Sequence, residues 1–259
     1  MKHDRALFIS PHLDDVAFSC GGTLARVLRE GWSVHLVTIF AGSSHPAEGF
    51  ALECQTSKGV HCETDYMGLR RAEDCAYAKA VGVTRLEHWD FLEAPHRGYS
   101  SAKALFAGER AGDDVWTRVA PLLRGLADKL QPGVVFAPQG LGNHVDHLQT
   151  IRAVLAAGLA PVTAWYRDTP YAIREPSTRP AGLLPPSLRP CTVDIASTLR
   201  MKILGCSAYE SQLAFQFGGK DALRTILTNF HRAESGEHGF CETFLGTPAL
   251  ATLHLFNSV

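Results

Sequence analysis

The sequence lacks several features that would place it in common protein classes. Its 259 residues contain no apolar run near the roughly 18 residues that a membrane span requires. A formal net charge of −1 leaves no excess of positive charge, which argues against a nucleic-acid partner and against an anionic membrane surface. Neither a G-x-G-x-x-G turn nor a G-x-x-x-x-G-K-[ST] loop occurs. The phosphate-binding loops of nucleotide-binding proteins are therefore excluded.

Disulfide bonds and export are not expected either. The seven cysteines form no C-x-x-C pair, and an odd count in a chain of this length is typical of reduced thiols in a cytosolic protein. The chain starts without the apolar segment of a signal peptide. We therefore predict a cytoplasmic protein.

What the sequence does contain is a regular alternation of short β-rich runs and amphipathic helical segments. The predicted strands cover residues 5–9, 33–40, 86–92, 134–137, 162–166, 170–173 and 249–256. The predicted helices cover residues 16–30, 68–81, 114–130, 147–157 and 196–217. Strand, helix and strand in succession predict parallel βαβ units with right-handed crossovers. We expect a single α/β domain over residues 1–259, Rossmann-like, with a mostly parallel sheet flanked by helices.

Two segments place metal-binding side chains directly after a predicted strand. The first supplies His12, Asp14 and Asp15, and the second supplies His144, Asp146 and His147. Loops at the carboxyl ends of neighbouring parallel strands converge over one crevice. Imidazole and carboxylate together form the donor set of catalytic zinc sites that keep one position open for water. Each segment alone is equally typical of a capped helix start, but the pair predicts a metal site.

The spacing within each segment suggests a division of roles. His12 and Asp15 are three residues apart, so one turn aims both at the same point. Asp14 must point elsewhere while staying close, which is the place of a general base for metal-bound water. His144 and His147 are also three apart, and only one of them is needed as a third ligand. The other is free to act as an electrophile or an acid.

These motifs resemble those of a known family. Ser10-Pro-His-Leu-Asp-Asp-Val and Gly142-Asn-His-Val-Asp-His resemble the paired signatures of the LmbE-like, or PIG-L, zinc deacetylases. Arg70-Arg71-Ala-Glu73 resembles the R-x-x-E helix of that family, and residues 166–171 and 202–212 are similar to segments of some members. The resemblance implies an N-deacetylase that uses one Zn²⁺ per chain. Its substrates would be small amino-sugar conjugates such as N-acetylglucosaminides.

The resemblance also implies a role for each residue. It assigns His12, Asp15 and His147 as zinc ligands, Asp14 as general base, His144 as the group that stabilises the oxyanion, and Asp146 as the residue that orients and charges His144. The reaction would be Asp14-assisted attack of zinc-bound water on an amide carbonyl. Gly142 departs from the pattern, because some relatives carry there a tyrosine that contacts the reaction centre.

Two arginines are candidates for substrate binding. Arg70 lies where the family places a substrate-contacting arginine, although a surface ion pair with Glu73 or Asp74 explains it equally well. Arg97 follows the third predicted strand in the segment 93–97, which either contributes to a sugar pocket or forms a solvated loop. The same two alternatives apply to residues 41–67, an aperiodic segment typical of a lid.

Alternative functions differ in how well the sequence supports them. A protein with a decayed metal site is disfavoured, since every ligand and the base are present. A deacylase of another amide, such as a glycopeptide or an acyl amino acid, would use the same metal site and stays the main alternative. The sequence leaves a homo-oligomeric state open.

Overall fold

The computed structural model describes residues 4–236 and 239–258. In this part of the chain, eight strands form one sheet in the order β3-β2-β1-β4-β5-β7-β6-β8. The strands are β1 Arg5–Ser10, β2 Ser33–Thr38, β3 Arg85–His88, β4 Val134–Pro138, β5 Thr163–Tyr166, β6 Arg189–Asp194, β7 Cys241–Gly246 and β8 Asn257–Ser258. Strands β1 to β5 run parallel, whereas β7, β6 and β8 join by antiparallel pairs. The predicted α/β fold with a mostly parallel sheet is confirmed.

Helices cover both faces of the sheet. They are α1 Asp15–Arg29, α2 Gly49–Thr56, α3 Tyr66–Val81, α4 Ala102–Phe106, α5 Trp116–Leu130, α6 Val145–Ala156, α7 Tyr171–Arg174, α8 Leu199–Cys206, α9 Glu210–Phe217 and α10 Lys220–Glu234. Side chains alternate along β1, so Ala6 and Phe8 join the core beneath α1, α8 and α10, while Leu7 and Ile9 join the core beneath α5 and α6. Both faces are buried, which is why β1 and β4 consist of continuous apolar residues.

Several predicted elements differ in the second half of the chain. Residues 170–173 lie mainly in helix α7 and not in a strand. The single helix predicted over 196–217 is divided into α8 and α9, because Glu73 accepts hydrogen bonds from the backbone N–H and the hydroxyl of Ser211 and so fixes the start of a new helix. Helix α10 and strand β7 were not predicted. The strand predicted over 249–256 is wrong, since Leu250–Thr252 forms a 3₁₀ turn that the Thr247 hydroxyl caps.

The predicted lid has more structure than the sequence indicates. Residues 49–56 form helix α2, and Gln55 is buried with its side-chain amide donating to two backbone carbonyls of the following loop. A second loop-like segment, 94–112, contains a 3₁₀ turn at Ala94–Arg97 and the short helix α4. Helices α2 and α4 rise on the side of the sheet where β1 and β4 end, and they form walls of the cavity described below.

The structure bears on only part of what the sequence predicts about disulfides, location and domains. All seven cysteines carry free thiols, so no disulfide links them. No helix in residues 4–236 and 239–258 has the length and apolarity needed to cross a membrane. The cytoplasmic location and the assignment of residues 1–259 to one domain stay predictions.

Candidate metal centre and active site

The two predicted motifs meet at the carboxyl edge of the sheet. Strands β1 and β4 are direct neighbours, with Phe8 opposite Phe136, so the loops that follow them lie side by side. The turn after β1 is held by Ser10, whose hydroxyl donates to the His12 carbonyl and accepts from the Val16 N–H. The His12 N–H donates to Asp15 Oδ2 at 2.8 Å. This local network fixes the orientation of the first motif before any ligand binds.

Three imidazoles and one carboxylate converge at this point. Ligand nitrogens of His12, His144 and His147 lie within 4.8 Å of one another. Asp15 Oδ2 lies 3.2 Å from His12 Nδ1 and 3.3 Å from His147 Nε2. The structure therefore brings together all the predicted ligands. It adds His144 to the group, so the contacts alone allow more than one set of ligands.

The environment of His147 fits a metal ligand. Its Nδ1 is paired with Asp168 Oδ1 at 2.5 Å, while its buried Nε2 makes no well-aligned hydrogen bond and lies 3.3 Å from Asp15 Oδ2. A carboxylate behind one ring nitrogen and a free second nitrogen are typical of histidine that holds a metal. Burial alone would lower the pKa of His147, but Asp15 and Asp168 outweigh it and raise the pKa to about 9. The cluster thus favours a cation, and its imidazole and carboxylate donors suit Zn²⁺.

The carboxylate of Asp146 has a different partner from the one predicted. It accepts from Ala94 N–H and from Arg97, and it lies 2.9 Å from Nε2 of His12. The expectation that this side chain orients His144 is therefore not met. Because Asp146 is completely buried and faces the ring nitrogen of His12 away from Asp15, its carboxylate orients His12 instead.

His144 is linked to Asp146 only through the backbone. The Asp146 N–H donates to His144 Nδ1 at 3.2 Å, which assigns the proton of a neutral ring to Nε2. Burial and the neighbouring His12 charge lower the pKa of His144 to about 3. His144 is therefore a neutral hydrogen-bond donor at physiological pH.

Asp14 is a buried carboxylate of the same site, and neighbouring positive groups offset the cost of burying its negative charge only in part. Burial raises its pKa to about 7, although the guanidinium of Arg70, 3.4 Å away, opposes this rise. A carboxylate with a pKa near neutrality both accepts and returns protons efficiently. Its position and its pKa suit the predicted general base.

Arg70 lies inside the site, not on the surface. Its guanidinium donates to Glu93 at 2.5 Å and to the Leu13 carbonyl, and it lines the cavity. The alternative pairs with Glu73 and Asp74 do not form: Glu73 binds Ser211, and Asp74 accepts from the hydroxyls of Tyr209 and Thr38. Substrate binding by Arg70 stays a prediction.

Arg97 is placed differently from the prediction. Its guanidinium is paired with both carboxylate oxygens of Asp113 and with Asp146, and it does not belong to the described lining of the cavity. With a further bond to the Leu92 carbonyl, four of the five N–H groups of its guanidinium donate within the protein. We correct its assignment from substrate contact to a support of Asp146, and through Asp146 of His12.

A cavity of about 360 Å³ opens above the cluster. The cluster lies at its inner end, and its outer walls, which also carry Glu53 and Lys58, come from helices α2, α4, α7 and α9 and from the turn after α2. The lining is His12, Asp14, Asp15, Phe18, Phe50, Glu53, Cys54, Ser57, Lys58, Arg70, Glu93, Pro95, Ala102, Leu105, Phe106, His144, Asp146, Thr169, Pro170, Tyr171, Gln212, Phe215 and Gln216. The outer part is rich in aromatic rings, and Lys58 lies between the rings of Tyr66 and Phe215, 5.4 Å from each.

Sequence reasoning missed two functional positions. Asp168, which holds His147, and Tyr171, which lines the cavity, both follow strand β5. Strand β5 pairs with β4, so the argument that located the first two motifs applies here as well. Assigning residues 170–173 to a strand concealed this third loop.

The phenol of Tyr171 stays protonated in this environment. Burial raises its pKa well above the usual range, and the carboxylates of Asp15, Asp168 and Asp14 raise it further. The hydroxyl therefore keeps the proton that it can donate in a hydrogen bond.

A buried cluster of histidine and carboxylate at the carboxyl edge of a parallel sheet, beside a carboxylate with a pKa near 7, defines a metal-dependent hydrolase. The family is shown by comparison with known proteins. The chain belongs to the PIG-L family, whose model, described as GlcNAc-PI de-N-acetylase, matches residues 7–158. The recognition made from the two motifs is thus confirmed, and the chain is a deacetylase of the metal-dependent amidohydrolase class.

Curated relatives share this similarity over most of their length. The chain is 32% identical over 223 residues to the 2'-N-acetylparomamine deacetylase of Streptomyces fradiae, covering 82% of this chain and 75% of that protein. It is 27% identical over 242 residues to the 1D-myo-inositol 2-acetamido-2-deoxy-alpha-D-glucopyranoside deacetylase of Mycobacterium sp. (strain KMS), covering 83% and 76%.

Solved structures of deacetylases match the fold as well. A deacetylase of teicoplanin biosynthesis superposes with a TM-score of 0.80 at 28% identity, over 93% of this chain and 96% of that chain. The zinc-inhibited form of teicoplanin deacetylase gives a TM-score of 0.78 at 27% identity, over 93% and 97%. The A40926 pseudoaglycone deacetylase gives 0.79 at 26% identity, over 94% and 97%.

Proposed function

We propose that the chain removes an N-acetyl or N-acyl group from an amino-sugar conjugate such as an N-acetylglucosaminide, with one Zn²⁺ per chain. The observation that carries this proposal is the buried Nε2 of His147, which makes no well-aligned hydrogen bond and, with His12 Nδ1, lies within 3.3 Å of Asp15 Oδ2. Asp14, with a pKa raised by burial, lies next to this point. The relatives named above, all deacetylases, support the same reaction class.

His12, Asp15 and His147 form the ligand set that we favour. Asp15 Oδ2 lies within 3.3 Å of a nitrogen of each histidine, so one ion in this position would relieve the buried charge of all three groups. The Nδ1 of His144 already accepts the Asp146 N–H, which leaves only its Nε2 for chemistry. A bound zinc supplies Lewis acidity and lowers the pKa of a coordinated water.

The remaining residues have separate roles in proton transfer, charge stabilisation and positioning. Asp14 accepts the proton of the attacking water and returns it to the departing amine. Neutral His144 donates its Nε2 proton in a hydrogen bond to the carbonyl oxygen as negative charge develops there. Arg70 holds Asp14 in place and presents its guanidinium edge to the substrate from the cavity wall.

The shape of the cavity favours a conjugate over a free sugar. A volume of about 360 Å³ is at the small end of the range for ligand sites. It accommodates an amino sugar at the inner end, and Phe50 and Phe215 line the outer end, where an apolar or aromatic aglycone would lie. The match to deacetylases of teicoplanin biosynthesis and of A40926 pseudoaglycone keeps another amide substrate, such as a glycopeptide, as the second candidate.

A substrate panel tests this proposal. Zinc-loaded protein is assayed on N-acetylglucosaminides with sugar, inositol and aromatic aglycones, on N-acyl glycopeptides and on acyl amino acids, with Asp14→Asn as the matched variant. We expect hydrolysis of at least one amino-sugar conjugate and a loss of roughly 10²–10⁴-fold in kcat/KM for Asp14→Asn. Turnover of acyl amino acids alone would contradict the amino-sugar proposal. Equal rates for the two proteins would remove Asp14 from its role.

A further inference from the structure

Tyr171 is a cavity residue that the proposed mechanism does not use. It begins helix α7, three residues after Asp168, and it lines the cavity together with His12, Asp14 and His144. Its ring meets the ring of His147 edge to face, with centroids 5.7 Å apart. The side chain therefore lies against a proposed metal ligand.

The hydroxyl of Tyr171 differs from those of the other five tyrosines in its hydrogen bonding and its surroundings. Tyr66, Tyr99, Tyr166 and Tyr209 all use their hydroxyls in hydrogen bonds within the protein. The hydroxyl of Tyr77 is sealed in the core. Within residues 4–236 and 239–258, Tyr171 alone reaches the cavity without a hydrogen bond to its hydroxyl. Because Tyr171 lines the cavity and its hydroxyl is neither hydrogen-bonded within the described residues nor sealed in the core, this hydroxyl is available to a ligand.

The backbone around Tyr171 fixes where its ring lies. Gly142 has a positive φ of 81°, and a Cβ built there would approach Cδ1 of Tyr171 to 3.1 Å. The ring thus packs directly on the backbone at position 142. Phe106 holds the ring from another side, with centroids 5.8 Å apart, and the same Phe106 packs on His144 at 5.3 Å. Tyr171 and His144 are therefore neighbours around one phenyl ring.

We propose that Tyr171 is a further catalytic residue, whose hydroxyl donates a hydrogen bond to the carbonyl oxygen of the scissile amide alongside His144. This inference rests on the proposed deacetylase function. No proton is transferred from the phenol. The hydrogen bond strengthens as negative charge develops on the oxygen, so it acts on kcat more than on KM.

The main test compares Tyr171→Phe with the wild type on the best substrate of the panel. This change removes the hydroxyl and keeps the ring on Gly142, His147 and Phe106. We expect kcat to fall roughly 10²-fold, with KM within about threefold and zinc content unchanged. Tyr209→Phe is the matched control, because it removes a buried hydroxyl outside the cavity. It should lower the melting temperature and leave kcat unchanged for the folded protein.

A binding measurement separates failure of this inference from failure of the proposed function. Acetohydroxamate, a zinc-binding probe with the shape of an acetamide, is titrated calorimetrically into zinc-loaded wild type and Tyr171→Phe. We expect Kd to rise roughly tenfold in the variant. Equal Kd values, or equal kcat values, would overturn the role of Tyr171. If the wild type hydrolyses no amide of the panel, the proposed function fails, and the hydroxamate titration still decides whether the Tyr171 hydroxyl faces the reaction centre.

Discussion

Two groups of buried charges touch helix α1, and they are built in opposite ways. The cavity cluster, defined as His12, Asp14, Asp15, His144 and His147, lies at the starts of α1 and α6, and all its members but His147 line the cavity. The closed pair, defined as Lys202 and Glu242, lies deeper in the protein, where α1 deviates from helical geometry at Cys20. Both groups are buried, so burial alone does not distinguish a functional group from a structural one.

The closed pair satisfies its own chemistry and that of the broken helix. Glu242 accepts from the N–H groups of Gly22 and Thr23 at 2.9 and 2.7 Å, and Lys202 donates to Glu242 and to the Ser19 carbonyl. Gly22 is required here, since a Cβ would come within 3.0 Å of Glu242 Oε1 and 2.9 Å of Ile195. The break in α1 frees these backbone groups, and the pair binds them, which leaves nothing for a ligand.

The cavity cluster, in contrast, does not satisfy all its polar groups within the protein. The buried Nε2 of His147 makes no well-aligned hydrogen bond, and burial holds the pKa of Asp14 far above its usual range. An arrangement that costs free energy in the folded protein persists where a ligand or a reaction uses it. Complete internal pairing thus indicates a structural role for Lys202 and Glu242. An unpaired buried group indicates a site only where it adjoins a cavity, as His147 does beside His12 and Asp15, and the sealed hydroxyl of Tyr77 does not.

The largest effect expected from this contrast concerns metal binding. His147→Ala should weaken zinc binding roughly 100-fold or more, since even residues that merely support metal ligands are worth about 10–100-fold. His144→Ala should keep most of the zinc affinity and lose activity instead. Zinc content and competition with a chelator measure both effects, and far-UV circular dichroism controls for folding. If both variants lose zinc equally, His144 is also a ligand, and the division of roles between His144 and His147 is wrong.

The sequence alone predicts that the two halves of the cavity cluster lie close together, and there is a physical reason for this. Each half of the site follows one strand without interruption, and adjacent parallel strands end together, so local patterns locate His12, Asp15 and His147 in space. The fold class follows from the same alternation of strands and helices. No distant contact was needed to predict either.

The parts that could not be predicted depend on distant contacts. The division between α8 and α9 is fixed by Glu73, which lies well over a hundred residues earlier in the chain. The pairing of Arg97 with Asp113 and Asp146, which removes it from the cavity, also arises only in the folded chain. The closed pair joins residues 40 apart, and no local pattern marks Lys202 or Glu242 as buried.

The second prediction tests the closed pair. Lys202→Met leaves Glu242 buried without its countercharge, which should lower the free energy of unfolding by about 3–5 kcal/mol. Lys220→Met is the matched control, because its contact with Glu210 is 3.9 Å long and exposed and should matter by less than about 1 kcal/mol. Urea titration measures both. If Lys202→Met kept its stability but lost zinc or activity, the closed pair would belong to the site, and the contrast would fail.

The smallest expected effect concerns His231, whose pKa burial holds well below the usual range, with Lys202 lowering it further. Its Nδ1 donates to the Cys241 carbonyl, and its buried Nε2 has no partner, so the folded protein keeps the ring neutral. Below pH 6.5 the unfolded chain binds a proton here that the folded chain does not, so stability falls as the pH falls. His231→Gln keeps a donor and removes the titration.

The difference in unfolding free energy between wild type and His231→Gln should therefore change by about 1.4 kcal/mol between pH 7.5 and 5.5, with the wild type losing more. Urea titrations of both metal-free proteins at the two pH values measure this difference, and the contributions of the other histidines cancel in it. A difference independent of pH would mean that His231 binds a proton in the folded protein, which would require an acceptor beside its Nε2. The region around the closed pair would then be open to a ligand or to water, in contrast to the complete internal pairing inferred for Lys202 and Glu242.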